Sequence, residues 1–241
     1  MANKYKRVLV KLSGEALQDK QNSAILDSQK LNEVAVAIKD MVDQGVEVCI
    51  VVGAGNIWRG RLAETIGIDR SEADYMGMLG TIINAVAVKA SLINNGIDAQ
   101  VLSAIEVKQL AKQFTKERAL KALNSGKVLI FAGGTGNPYF TTDTCAALRA
   151  NEVGCDAILM AKNGVEGVYS DDPRKNPNAE FYSKLTYSEM LAKNLSVMDN
   201  AALSLCINTN IELRVFNMAD MKNFGRVIAG ENIGTTITKG E

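Results

Sequence analysis

Residues 46–60 read V-E-V-C-I-V-V-G-A-G-N-I-W-R-G, an apolar, β-branched run that passes directly into a glycine-rich loop. A run of this length bounded by glycines is a strand buried on both faces, the kind that parallel sheets contain. Shorter runs of the same character recur at 7–12 (R-V-L-V-K-L), 99–103 (A-Q-V-L-S), 127–132 (K-V-L-I-F-A), 157–161 (A-I-L-M-A) and 212–216 (E-L-R-V-F). Helical patterns lie between them. Leu31, Val34, Ala35, Ile38, Met41 and Val42 are spaced for a helix over 27–44, capped by Asp27 or Ser28 and closed by Gly45. A longer helix from Ser71 to Asn95 puts Met76, Leu79, Ile83, Val86 and Ala90 on one apolar face, which such a pattern normally buries. Further helices are expected over 115–124 and 141–152, and Thr186-Tyr187-Ser188-Glu189 is a capping box opening another. This alternation predicts an α/β fold: a three-layer αβα sandwich with a mainly parallel central sheet and ligands in the crevice at the strands' carboxyl ends.

Composition narrows the chemistry. The 241 residues are 47% hydrophobic and contain no linker, repeat or low-complexity tract, so one domain over 1–241 is expected. Histidine is absent, which excludes imidazole bases, Ser/His/Asp and Cys/His nucleophile systems, and zinc sites needing a ring nitrogen. Cys49, Cys145, Cys155 and Cys206 form no C-x-x-C pair and read as small apolar fillers of a protein in a reducing cytoplasm. Lys11 interrupts the N-terminal apolar stretch, too early for a signal peptide, and no run of 18 apolar residues predicts a membrane span. With 27 basic against 27 acidic residues and no basic stripe, nucleic acid is not an expected partner.

Four loops after strands combine small residues with single polar groups. In Lys11-Leu12-Ser13-Gly14 a lysine could meet a phosphate beside two backbone amides; the plainer alternative is a snorkelling lysine on an edge strand. Gly53-Ala54-Gly55-Asn56 lets the backbone approach a phosphate, and Arg59, about one turn into an expected helix, offers a bidentate fork. Gly133-Gly134-Thr135-Gly136-Asn137-Pro138-Tyr139-Phe140-Thr141-Thr142-Asp143 gathers glycines, hydroxyls and a carboxylate at a helix start. Residues 163–173, including Asn163, Tyr169 and Asp172, could flank a ribose and base, or form a hairpin-like excursion ended by Pro173. Neither G-x-x-x-x-G-K-[ST] nor G-x-G-x-x-G is present. Two phosphate-directed loops with one lysine and one arginine suit phosphoryl transfer, which relies on positioning and charge neutralisation.

K-L-S-G-E-A-L, V-G-A-G-N-I-W-R-G, A-D-Y-M-G-M-L-G-T, A-G-G-T-G-N-P-Y-F-T-T-D, G-V-Y-S-D-D-P and R-V-F-N-M, in this order over nearly the whole chain, resemble the bacterial uridylate kinase family of the amino-acid-kinase fold. The resemblance implies ATP-dependent phosphorylation of UMP to UDP in pyrimidine nucleotide synthesis, with Mg²⁺ held mainly by nucleotide phosphates and water. It implies ATP contacts at Lys11, Leu12, Ser13, Gly14, Gly55, Arg59, Asn163, Tyr169 and Asp172. UMP contacts would fall at Ala54, Asp74, Thr135, Gly136, Asn137, Pro138, Tyr139, Phe140, Thr141 and Thr142, and catalytic roles at Lys11, Arg59 and Asp143. Lys162 is the candidate for the second catalytic lysine that other members of the fold carry. The family further implies a homohexamer inhibited by UTP.

Two departures modify this picture. Ala54 stands where many relatives have glycine, and Gln18–Asp27 lacks the G-F-G-I stretch that accompanies GTP activation, so little activation by GTP is expected. The alternatives are an enzyme of the same fold phosphorylating a carboxylate or carbamate, and a nucleotide-binding protein without catalysis.

Overall fold

The computed structural model describes residues 3–19, 24–195 and 197–240; residues 20–23 of the stretch lacking G-F-G-I lie outside them. The strands are β1 (Arg7–Leu12), β2 (Glu47–Val52), β3 (Ala99–Ser103), β4 (Lys112–Gln113), β5 (Val128–Ala132), β6 (Ala157–Lys162), β7 (Val168–Tyr169), β8 (Phe181–Tyr182), β9 (Lys184–Thr186), β10 (Glu212–Asn217) and β11 (Thr235–Thr238). The helices are α1 (Ser28–Asp43), α2 (Arg61–Ile66), α3 (Arg70–Asn94), α4 (Lys116–Asn124), α5 (Thr142–Val153), α6 (Tyr187–Ala192), α7 (Asn200–Cys206) and α8 (Asn223–Ile228). The main sheet runs β4-β3-β5-β2-β1-β6-β10-β11-β9. Its neighbours pair parallel except β10 with β11.

Alternation along the strands explains the three layers. In β1, Val8, Val10 and Leu12 join a buried cluster with α1, α3 and α8, while Leu9 joins the opposite cluster with residues of α4, α5, α6 and α7. The sheet is thus covered on both faces, as the uninterrupted apolar strands require. β1 is central, flanked by β2 and β6, so Lys11 is not on an edge. After β1 the chain builds outward through β2 on one side and later returns to β6 on the other. The β1/β6 boundary is therefore the topological switch point, where open α/β sheets form their ligand crevice.

Three expectations are corrected. Arg59 lies in the turn before α2, because Ile57 and Trp58 both bond back to the Ala54 carbonyl and the short helix begins only at Arg61. The apolar face of α3 is not core: Met76, Leu79 and Ile83 are 37%, 50% and 48% exposed. The face packed inward instead carries Met78, Ile82, Val88 and Leu92 together with Ala73, Gly80, Thr81, Asn84 and Ala85, small and polar residues that let loops come close. Third, Lys11 lies on a central strand and not on an edge, while α5 begins at Thr142 with Thr141 as its cap.

Gly80 makes that close approach possible, since a Cβ there would lie 2.8 Å from the Ala54 methyl. Gly→Ala within a helix normally stabilises by about 0.5–1 kcal/mol. Here the overlap dominates: Gly80→Ala should lower stability by about 1–3 kcal/mol. Adding Ala54→Gly should restore it, and thermal melts of the two variants and the double would show this; a neutral Gly80→Ala would mean the loop gives way freely.

Candidate functional site

Lys11, near the end of β1, pairs in register with Met160 of β6, so Lys162 stands two residues further on the same face. Both lysines face the α5 layer. Lys11 Nζ lies 2.7 Å from Asp143 Oδ1, and both side chains are largely buried. Lys162 Nζ donates to the Val197 carbonyl at 3.0 Å. Burial, with the charge of Lys11 pushing the same way, holds the Lys162 ammonium below the usual lysine value, and Asp143 offsets only part of this. Two cations and one carboxylate thus share the mouth of the switch-point crevice, a concentration of positive charge suited to an anion.

Asp143 owes its place to the start of α5. Thr141 Oγ1 accepts from the Asp143 and Thr144 amides at 3.0 and 3.3 Å. Asp199, the α7 cap, accepts in turn from the Thr141 and Thr144 hydroxyls and from the Ala202 amide. Burial alone would raise the Asp199 pKa; the hydrogen bonds from Thr141, Ala202 and Thr144 outweigh it and hold the carboxyl below its ordinary value.

The loops after β1 and β2 meet beside this cluster. A Cβ on Gly53 would sit 3.5 Å from the Gly14 amide nitrogen and 3.6 Å from Thr142 Oγ1, so three of the predicted segments converge on one point. Gly14 has no room for a side chain, because its Cβ would fall 2.3 Å from Asn56 Oδ1 and 2.5 Å from the Gly53 carbonyl. Arg59 is held by Glu15, one residue past Gly14, and its Nε donates to the Gly55 carbonyl at 3.2 Å.

Between this junction and α3 opens a cavity of about 270 Å³ lined by Ala54, Gly55, Asp74, Phe140, Thr141 and Thr142 among others. Its outer wall is the 133–142 loop, where Gly133, Gly134 and Gly136 take positive φ, as does Tyr139 at 69°. Asp74 accepts the Tyr139 amide at 2.7 Å, which fixes that strained residue. A second cavity, about 460 Å³, lies beyond Lys162 and is lined by Tyr169 and Asp172 as well. Tyr169 belongs to a hairpin of β7 with β8, so the excursion expected for 163–173 is a hairpin and also a cavity wall. Both Asp172 oxygens are engaged by the Arg174 guanidinium, at 2.9 and 3.0 Å.

Of the predicted residues, Ala54, Gly55, Asp74, Phe140, Thr141 and Thr142 line the smaller cavity, and Tyr169 and Asp172 the larger, which Lys162 also lines. Lys11, Leu12, Ser13, Gly14, Arg59, Asp143 and the loop residues Thr135, Gly136, Asn137, Pro138 and Tyr139 line neither of these two, and Asn163 is exposed just beyond β6. Sequence reasoning missed Glu15, Thr81, Asn84 and Asp199. Only Glu15 had a local signal, directly following Gly14 in K-L-S-G-E. Among the described residues no three acidic, cysteine or histidine side chains gather to hold a metal ion.

The amino acid kinase family model matches residues 6–217. Over 234 residues the chain is 48% identical to the uridylate kinase of Pediococcus pentosaceus, covering 97% of each chain. The UMP kinase structure from Bacillus anthracis matches with a TM-score of 0.95 at 43% identity, over 98% of this chain and 97% of that one. The UMP kinase of Ureaplasma parvum matches at 0.91 and 42%, over 97% and 99%. With a mainly parallel sheet, a switch-point crevice flanked by lysines and these full-length likenesses, the chain belongs to the amino acid kinase family, in its uridylate kinase branch.

Proposed function

We propose that this chain transfers the γ-phosphoryl group of MgATP to UMP, giving ADP and UDP. The observation that supports it best is the Lys11, Asp143 and Lys162 cluster, with Lys162 on the wall of a cavity lined by Tyr169 and Asp172, and with Thr142, next to Asp143, on the wall of another lined by Asp74. In this reading the larger cavity takes the adenosine, with Asn163 at its rim, and the smaller takes UMP. Lys11-Leu12-Ser13-Gly14 and Gly55 cradle the ATP phosphates. Ala54 and Asp74, with the loop from Thr135 through Gly136, Asn137, Pro138, Tyr139, Phe140 and Thr141 to Thr142, surround the acceptor.

A UMP phosphate oxygen forms the new O–P bond as the bond from the γ-phosphorus to the β-γ bridging oxygen breaks, and the electron pair leaves with ADP. Charge spreads over the equatorial oxygens during this step, so Lys11, Lys162 and Arg59 contribute by neutralising it. Asp143 orients Lys11, and Glu15 keeps Arg59 at the loop until phosphate replaces it. Mg²⁺ arrives as part of MgATP: among the described residues the donor set offers Asp143, already paired with Lys11, and no cage, which fits a cation that keeps its phosphates and waters.

Residues 1–241 act as one domain in this reading, consistent with one sheet that takes in strands from Arg7 to Thr238. The exposed Met76, Leu79 and Ile83 stripe on α3 supports self-association, which we read as a homohexamer. UTP, sharing the uridine of the acceptor, would inhibit. Four buried, unpaired cysteines support a cytoplasmic setting.

The test is ADP formation with MgATP and, separately, UMP, CMP, aspartate, acetylglutamate, carbamate or no acceptor, each with and without GTP. Turnover confined to UMP and changed less than about twofold by GTP is expected. Turnover on a carboxylate or carbamate would establish the alternative substrate class, and ATP binding without turnover would establish the non-catalytic one.

A further inference from the structure

α3 is apolar enough along its length for membrane-like hydropathy, yet its inward face spends buried polar groups on the two loops that line the smaller cavity. Asn84 is fully buried. Its Nδ2 donates to the Gly53 carbonyl at 2.7 Å and to Asn56 Oδ1 at 2.8 Å, and its Oδ1 accepts from Asn56 Nδ2 at 3.1 Å. Both amide protons are therefore committed to the loop after β2. Thr81, 4% exposed and one turn earlier, accepts the Gly133 amide at 2.9 Å, where the loop after β5 begins. The same helix also takes the Trp58 indole on the Ala73 carbonyl at 2.8 Å.

An apolar residue of similar volume would fill each place but leave the Gly53 carbonyl and Asn56 amide, or the Gly133 amide, without this partner, so what these side chains supply is the hold on the loops. The two positions are three residues apart, so they lie on one helix face about 4.5 Å apart along the axis. A single rigid helix thus grips, at Asn84, the loop that carries Gly55 and Arg59 for the donor beside Ala54 for the acceptor and, at Thr81, the loop that encloses the acceptor. In-line phosphoryl transfer depends on the relative placement of donor and acceptor, more than on how firmly each is held.

We infer that Asn84 and Thr81 are positioning residues that set the separation of the two phosphate-binding loops, with α3 as the ruler between them. The inference rests on the reading of the site as a UMP kinase. It specifies a signature that a general structural role would lack. Releasing one loop from α3 leaves each substrate its own contacts but loses their alignment, so kcat falls while both KM values stay.

The experiment compares Thr81→Val, Asn84→Leu and the double variant with wild type and with Val88→Ala, a buried apolar truncation on the same helix. Initial rates are measured well below each melting temperature, varying ATP and UMP in turn. Each single variant should lose about tenfold in kcat with both KM values within about threefold, a fraction of what an ångström of misplacement can cost. The double should lose little more than the worse single, because either release already frees the ruler. Val88→Ala should melt earlier yet keep wild-type kinetics. Kinetics of Asn84→Leu and Thr81→Val that match wild type would overturn the inference, as would a rise in one KM with kcat intact. Should Asn84→Leu fail to fold, Asn56→Ala removes the half-buried side of the amide pair, and the same criteria decide. Wild-type protein without UMP-dependent turnover would refute the function itself, an outcome separate from active wild type with unaffected variants.

Discussion

Lys11→Ala is expected to lower kcat by about 10² to 10³-fold, the scale of losing one preorganised electrostatic group at a reaction centre. Lys11 stands near the carboxyl end of a central strand, at the boundary where the chain's winding reverses, with Asp143 2.7 Å away holding its ammonium. A purely structural ion pair gains nothing from lying at that crevice, and buried pairs are often no better for stability than apolar replacements. The alternative role can be separated experimentally. Lys11→Ala leaves Asp143 with the charge of Lys162 nearby, so the protein should fold, and its turnover should be read well below its melting temperature. Lys11→Arg keeps the charge but replaces a compact ammonium with a planar fork too long for the same spot, and should recover only a part. Turnover of Lys11→Ala equal to wild type would remove Lys11 from the chemistry, whatever its melting temperature.

Lys11 was legible in the sequence for a physical reason: a lysine closing an apolar strand and followed by Ser13-Gly14 carries its signal within a few residues. The same locality made β1, β2, β3, β5, β6 and β10 readable to within about a residue, together with α1, α3, α4 and α5. What escaped depends on partners far along the chain. Asp199 meets Thr141 across 58 residues, Arg59 meets Glu15 across 44, and Asn84 meets Gly53 across 31. Nothing beside Asp199 or Asn84 in sequence marks either as different from an ordinary cap or a stray polar residue in a helix. The outward face of α3 was misread for a related reason. Periodicity identifies an apolar face but not what covers it, and here loops with small residues claimed the opposite side. The two- and three-residue strands β4, β7, β8 and β9 are too short to show any period.

Lys162→Met should lower kcat by about 10²-fold while raising thermal stability at neutral pH. M-A-K-N does not by itself align Lys162 unambiguously with the second lysine of the fold, but the structure places it two residues beyond Met160, the register partner of Lys11. Burial and the neighbouring Lys11 charge depress its pKa below the usual 10.5, so the charged form is less stable in the folded protein than in the unfolded chain. Between the folded value and 10.5 the unfolded chain binds more protons, and wild-type stability rises with pH across that window. Below the folded value the penalty is complete and constant. Methionine fills a similar volume without a charge, so the variant should melt above wild type at pH 7, and the gap should narrow as pH approaches 10.5. The Val197 carbonyl loses its donor, which trims the gain by about 1 kcal/mol. Melting curves of both proteins from pH 7 to 10.5, beside their kcat values, test this. A variant no more stable than wild type at pH 7, or a difference independent of pH, would show that the buried ammonium is not a cost to folding. Full activity in Lys162→Met would leave Lys11 and Arg59 as the cations of the transfer. Loss of turnover with gain of stability would instead mean that two like charges are held together, against folding, where the migrating phosphoryl group needs them.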